Sequence, residues 1–172
     1  MISSINVEFR TDPPLPVGAK VDVALNSAHL QKYGFVIPVI IQTPAALCAP
    51  PLSKPIKSIL VMALIDTGAS ETCISEDLAN ALGLTSVGFS TRITATGPVT
   101  TLDYAVDILF PNSGVRSFEN LKIGSCKLPY NHNLPDEQRM ENSNFGILIG
   151  RDMMARWSVV WNGPASSVTI TE

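Results

Sequence analysis

Asp66 is the residue whose type and placement most directly suggest chemistry in this chain. Seven apolar residues, 59–65, run into it without a break, and Thr67 and Gly68 follow at once. An apolar run of that length, closed by a turn signal, predicts a strand buried on both faces. A carboxylate at its end is carried to the edge of a core by a rigid element, which is how proteins hold a reacting group in place. Gly68, lacking a Cβ, lets the backbone turn sharply or approach another group closely. Taken alone, Asp-Thr-Gly is equally the composition of an ordinary turn.

Two other chemistries compete for these residues. A phosphate loop of the actin and sugar-kinase type also begins with Asp-x-Gly after an apolar strand, but that fold has two lobes and a chain far longer than 172 residues. Cys73 lies close after Asp66 and could act as a nucleophile if a base stood near it. The two histidines, His29 and His132, sit in a polar stretch and in an Asn- and Pro-containing loop, which offers that reading little. The three cysteines, Cys48, Cys73 and Cys126, are odd in number and far apart. Neither a disulfide framework nor a zinc spacing is visible, so free thiols in a reducing compartment are expected.

Composition bounds the rest. The chain is long enough for one domain with a real core, and a single domain over 1–172 is expected. Hydrophobic residues make up 45% and charged residues 16%, as in an ordinary globular protein. Thirteen Pro and eleven Gly, spread along the chain, favour short strands and turns over long helices. A formal charge of −3 gives no electrostatic footprint for nucleic acid or a membrane surface. No apolar run reaches the ~18–20 residues of a membrane span. Residues 1–6 lack a basic and apolar leader pattern, so a cytoplasmic protein is expected.

The elements that must position Asp66 can be read in order. Alternating residues 5–9 and 20–25 suit half-buried strands, with a break at 11–16 and a possible helical turn at 26–32. Residues 34–42 are rich in β-formers, and Pro38 within them favours an edge or a bulge. Residues 43–55, with four prolines, read as a long, stiff connection into the Asp66 strand. Residues 72–74 are β-compatible. Residues 75–83 carry helix signals at both ends: Ser75 as N-cap, Glu76 and Asp77 at the positive end, and Gly83 beyond the last turn. Residues 90–110 read as two strands meeting at Thr96, Gly97 and Pro98. In the second, Leu102, Tyr104, Val106 and Ile108 alternate with Asp103, Ala105 and Asp107. That is either a plain surface hairpin or a flap closing over a cleft. A strand at 117–123 precedes an irregular polar segment, 124–144, long enough to suggest a functional or mobile insertion with a short helix inside 136–142. Residues 147–149 lead into Gly150 and a short helix. Strands at 157–161 and 167–171 flank a turn at 162–164.

With these parts in place, Leu-Ile-Asp-Thr-Gly-Ala at 64–69 and Ile-Leu-Ile-Gly-Arg-Asp at 147–152 together resemble the retropepsin-like aspartic proteases, the family of retroviral proteases and their soluble relatives. The order of elements agrees over residues 35–161, leaving 1–34 as an N-terminal extension and 124–144 outside the match. The resemblance implies an all-β, half-barrel acid-protease fold with one or two short helices, active as a two-fold homodimer. It implies hydrolysis of extended peptides without metal or cofactor, and no partner beyond the substrate and a second copy. An aspartic dyad needs two carboxylates sharing a proton, one acting on water while the other donates. The chain holds one Asp-Thr-Gly, so the second carboxylate would be Asp66 of another copy across a two-fold axis.

The resemblance also assigns roles. Asp66 would activate the water, Thr67 would join the two loops across the axis, and Gly68 would let the substrate backbone approach. Ala69, Ser70 and Glu71 would line the cleft, and Thr96 and Gly97 would cover the peptide from the flap. Ile149 and Gly150 would support the loop from beneath, and Arg151 would brace it by ion pairing. In the viral enzymes an acidic residue follows Asp-Thr-Gly-Ala and takes that arginine. Ser70 stands there instead, leaving Glu71 or Asp152 as candidate partners. The hairpin tip, Ala95 to Pro98, lacks the viral run of glycines. The alternative function is a peptide-binding or dimerisation module that keeps the fold without cutting.

Overall fold

The apolar run before Asp66 forms one stave of a closed β-barrel. The computed structural model describes residues 4–8, 32, 34–48, 55–94, 96–111, 113, 115–141, 143–162 and 167–171. Ten strands are described: β1 (Ser4–Glu8), β2 (Phe35–Gln42), β3 (Ser58–Ile65), β4 (Cys73–Ser75), β5 (Ser86–Thr94), β6 (Gly97–Leu109), β7 (Phe118–Cys126), β8 (Phe145–Ile149), β9 (Ser158–Asn162) and β10 (Ser167–Thr171). Four short helices accompany them: α1 (Ala45–Cys48), α2 (Glu76–Leu82), α3 (Asp136–Arg139) and α4 (Arg151–Met154). The expected strand at 20–25, most of the turn at 26–32 and the prolines at 50 and 51 lie outside the described residues.

The strands run β2-β3-β8-β4-β7-β6 around the barrel, and β6 closes the ring by pairing back to β2. The β5 strand pairs with β6 alone and extends it as a hairpin. A second sheet, β1-β10-β9, brings the two ends of the chain together in antiparallel register. Ile37, Val39, Ile41, Val61, Ala63, Ile74, Val106, Ile108, Ile147 and Ile149 are fully buried and fill the barrel. Val168 and Ile170 of β10 join the same core. β-Branched residues dominate because they suit a pleated, enclosed surface. Pro38 is tolerated because β6 reaches β2 only at Ile40–Gln42, leaving Pro38 with β3 as its one neighbour.

Local signals agree with the structure around α2. The Ser75 hydroxyl accepts from the Leu78 amide at 3.0 Å, and Gly83 closes the helix in the left-handed conformation with φ of 67°. Leu78 and Leu82 turn inward and are buried.

Three expectations need correction. Cys73 and Cys126 are joined as a disulfide between β4 and β7, with Cα atoms 6.0 Å apart, and Cys48 is free. Their distance in sequence hid a parallel pairing that sets Ile74 beside Ser125 and Ser75 beside Cys126. The free-thiol account therefore holds for Cys48 alone, and the support it lent to a reducing compartment is withdrawn. Second, the strand expected to end at 123 continues to Cys126, because Gly124 and Ser125 are paired with β4. Asn131 and Arg139, in the segment after β7, are anchored by the buried Asn144, whose side chain accepts from the Asn131 amide at 2.7 Å and donates to the Arg139 carbonyl at 3.0 Å. Third, Asp103 and Asp107, on the polar side of the β6 alternation, are buried. Asp107 accepts from the Gln42 side chain and the Ala45 amide at 3.1 Å and from the Asn120 amide at 2.7 Å. Among the described residues no helix is long and apolar enough to cross a membrane.

Candidate active site

Parallel pairing of β3 with β8 brings together two motifs separated by some eighty residues. Leu64 lies beside Leu148 and Ile65 beside Ile149. Because the strands run the same way, both end at the same edge of the barrel. Asp66 and Gly150 therefore emerge side by side, and the Asp66 amide donates to the Ile149 carbonyl at 3.0 Å. Val61, Met62, Ala63 and Ile65 are buried, Leu64 is intermediate, and Ser58 and Leu60 are exposed. The expected burial on both faces therefore holds from Val61 to Ala63 and is partial toward each end of the strand.

The loop is held by its own backbone and by α4. The Gly68 amide donates to Asp66 Oδ1 at 2.8 Å, and a Cβ on Gly68 would stand 3.0 Å from that same oxygen. Among the described residues this amide is the one hydrogen-bond donor to the Asp66 carboxylate. The side chain is half-buried, while Thr67 and Gly68 are exposed. Backbone amides of Arg151 and Asp152 donate to the carbonyls of Ala69 and Ser70 at 3.0 and 3.2 Å. The loop and the start of α4 are thereby laced together.

Arg151 braces the loop by a different contact from the ion pair expected. Its guanidinium Nη1 donates to the carbonyl oxygens of Thr67 and Gly68, at 2.7 and 3.0 Å. The expected carboxylate partners are engaged elsewhere. Glu71 pairs with Arg92 at 2.8 Å. Asp152 accepts from the Thr72 hydroxyl at 2.7 Å and the Thr72 amide at 3.0 Å. With Ser70 lacking a charge, the exposed carbonyls of a tight loop are the nearest acceptors for a guanidinium.

Thr72 and Asp152 are structural members of the site that sequence reading did not single out for this contact. The buried Thr72 hydroxyl donates to Asp152 and accepts from the Gly150 amide at 3.1 Å, so one oxygen links both motifs. Gly150 must be glycine here: a Cβ would lie 2.5 Å from the Glu71 carbonyl carbon. Ile149, fully buried, supports the loop from the core side. A hint existed in the sequence, since Asp152 opens a helix and Asp at that end seeks nearby amides.

Thr96 and Gly97 lie apart, at the tip of the β5–β6 hairpin. The Thr94 hydroxyl bonds to Gly97 O at 2.8 Å and accepts from the Thr96 amide at 3.3 Å. Gly97 has φ of 114°, a conformation that a β-carbon disfavours. Among the described residues no hydrogen bond joins the tip to the Asp66 loop. The hairpin meets the loop lower down, through Arg92 and Glu71.

Residues 56–128, which contain the Asp66 loop and the hairpin, match the aspartyl protease family model. No curated protein matches the chain. Among solved structures, the chain is similar to a retropepsin-like aspartic protease from Rickettsia conorii, with 17% identity, 80% of this chain and 92% of that one covered, and a TM-score of 0.39. Over residues 56–128 the chain is thus similar to the aspartyl proteases, and that match supports the retropepsin-like resemblance through the motif at 64–69, the motif at 147–152 lying beyond the matched span.

Proposed function

We propose that the chain is an aspartic endopeptidase that cleaves extended polypeptide segments, using a water held between Asp66 of two copies. The observation that carries this reading is the Asp66 carboxylate itself. It stands at the end of a buried strand, in a braced loop, with one hydrogen-bond donor among the described residues. A carboxylate so placed has acceptor capacity left for a water. Two such groups across a two-fold axis share one proton, because like charges at short range resist ionising together. The ionised one takes a proton from water as it attacks the peptide carbonyl, and the protonated one donates to the carbonyl oxygen. Collapse of the tetrahedral species then releases the amine with a proton returned from the dyad.

Other residues take supporting roles in this proposal. Thr67 joins the two loops, while Gly68, Ala69, Ser70 and Glu71 form the cleft floor. Thr96 and Gly97 cover a peptide that adds as a strand between hairpin and floor. Ile149, Gly150 and Arg151 keep the loop in place. A single Asp-Thr-Gly per chain supports the homodimer. So does β9, a strand paired with β10 alone among the described residues, whose Val159, Val160 and Trp161 are 40, 61 and 55% exposed.

The test is cleavage of a peptide library by the full chain and by Asp66→Asn. Loss of cleavage in the variant with an unchanged melting curve is expected, and specific activity is expected to rise with protein concentration as dimers form. Cleavage that persists in Asp66→Asn would sink the assignment. Peptide binding without cleavage by the natural chain would favour the binding-module alternative instead.

A further inference from the structure

Arg92 lies outside both recognised motifs, yet it touches the Asp66 loop and the hairpin at once. Its Nε donates to Glu71 Oε2 at 2.8 Å. Its Nη1 donates to Thr101 Oγ1 and Asp103 Oδ1, each at 2.8 Å. Arg92 belongs to β5, Thr101 and Asp103 to β6, and Glu71 to the segment between the Asp66 loop and β4. One guanidinium thus spans hairpin and floor.

The surroundings prepare this contact. Asp103 is fully buried and also accepts from the Lys122 ammonium at 2.9 Å and from the Ser90 hydroxyl. The guanidinium is therefore anchored on the hairpin side whether or not Glu71 is engaged. On the floor side it rests over Gly124, where a Cβ would come within 2.2 Å of the guanidinium carbon. Gly124 is paired with Asp103 on one side and Cys73 on the other. The Cys73–Cys126 disulfide ties β4 to β7 next to that pairing. From Asp103 onward β6 is paired with β7 and belongs to the barrel, whereas β5 and residues 97–102 pair only with each other among the described residues. That outer part of the hairpin meets the Asp66 side through one partly exposed ion pair, with the Glu71 side chain 57% accessible.

We propose that Arg92 is a positioning residue, a clasp that through Glu71 sets the height of the β5–β6 hairpin over the Asp66 loop and so clamps the peptide substrate. This rests on the endopeptidase reading. A clamp that holds the bound peptide equally before and during reaction acts on KM, with kcat nearly unchanged. The contact is partly exposed, so salt weakens it, while the buried Arg92–Asp103 pair keeps the guanidinium on the hairpin.

The test compares Glu71→Gln, Arg92→Met, Arg92→Lys and Gly124→Ala with the natural chain, on an uncharged peptide substrate. Expected for Glu71→Gln is a KM about three- to fivefold higher, the size of one partly exposed ion pair, with kcat within twofold. Arg92→Met and Gly124→Ala should match it, the latter with every charge retained. Arg92→Lys should recover part of the loss, since an ammonium cannot span all three acceptors. Glu71→Gln combined with Arg92→Met should be no worse than the poorer single variant, because both remove one contact. Salt should raise KM in the natural chain and leave Glu71→Gln flat. Amide hydrogen exchange supplies a readout apart from catalysis: residues 90–100 should exchange several-fold faster in Glu71→Gln, with barrel amides unchanged. Unaltered exchange there, additive variants, or a fall in kcat with KM constant would overturn the clasp. A natural chain that cleaves nothing would remove the protease reading, and the exchange result would still decide whether the clasp exists.

Discussion

Two aspartates in this molecule differ in every respect that matters for their use. Asp66 stands half-buried at a barrel edge and receives one backbone amide. Asp103 is fully buried and receives Arg92, Lys122 and Ser90. Burial alone pushes the Asp103 carboxyl up, but the hydrogen bonds from Ser90, Lys122 and Arg92, with the charge of Arg92, together hold it down at about 2. A buried carboxylate with both oxygens engaged, by two cations and a hydroxyl, is part of the scaffold. One held in place with capacity to spare is available for chemistry. The distinction lies in the partners that reach each carboxylate, since the residue type is the same.

The sharpest way to break this comparison is to make the same substitution at both sites. Asp66→Asn should lower cleavage about a thousandfold or more, the scale of a lost acid–base group, and leave thermal stability unchanged. Asp103→Asn should instead destabilise by about 3 kcal/mol, because three donors, two of them charged, then face a neutral amide in a fully buried position. In calorimetry that is about 6–12 °C of melting temperature for a chain this size. If Asp66→Asn melted lower than Asp103→Asn, the division of labour would be refuted.

Acid extends the test. The folded-state value of Asp103 lies below the ordinary 3.8, so its contribution to stability is complete above that value and is lost as pH falls from 3.8 towards about 2. Chemical denaturation across that window should show a loss of stability in the natural chain that is smaller in Asp103→Asn. A smaller effect is expected at the joint between the two motifs. Thr72→Val removes the hydroxyl shared by Asp152 and Gly150 and should cost about 2 kcal/mol, measured by denaturant midpoint. Smallest is Ser75→Ala, which removes the α2 cap at a cost of about 1 kcal/mol and should leave cleavage untouched.

Much of the frame was legible in the residues because it depends on neighbours in the chain. The apolar run into Asp66, the Ser75 and Gly83 caps, and the turn at Thr96 and Gly97 are local signals, and each element formed at those positions. Alternation in β6 was legible as well, and its apolar face is buried at Tyr104, Val106 and Ile108, but burial of the polar face was not legible. Its polar face is covered around Asp103 and Asp107, whereas Leu102 is 45% exposed. Arg92 carried no local signal, because its three acceptors come from other segments.

By itself, then, the sequence determined which residue would be delivered from a rigid strand, where the chain would turn, and that each copy carries one Asp-Thr-Gly. Those follow from hydrophobic periodicity, capping and composition, which act over a few residues. Only the tertiary structure decided that β3 and β8 run in parallel to set Asp66 beside Gly150, that Arg151 takes carbonyls and Arg92 takes Glu71, and that Cys73 meets Cys126. Those are pairings between distant segments, and closure of the barrel selects them.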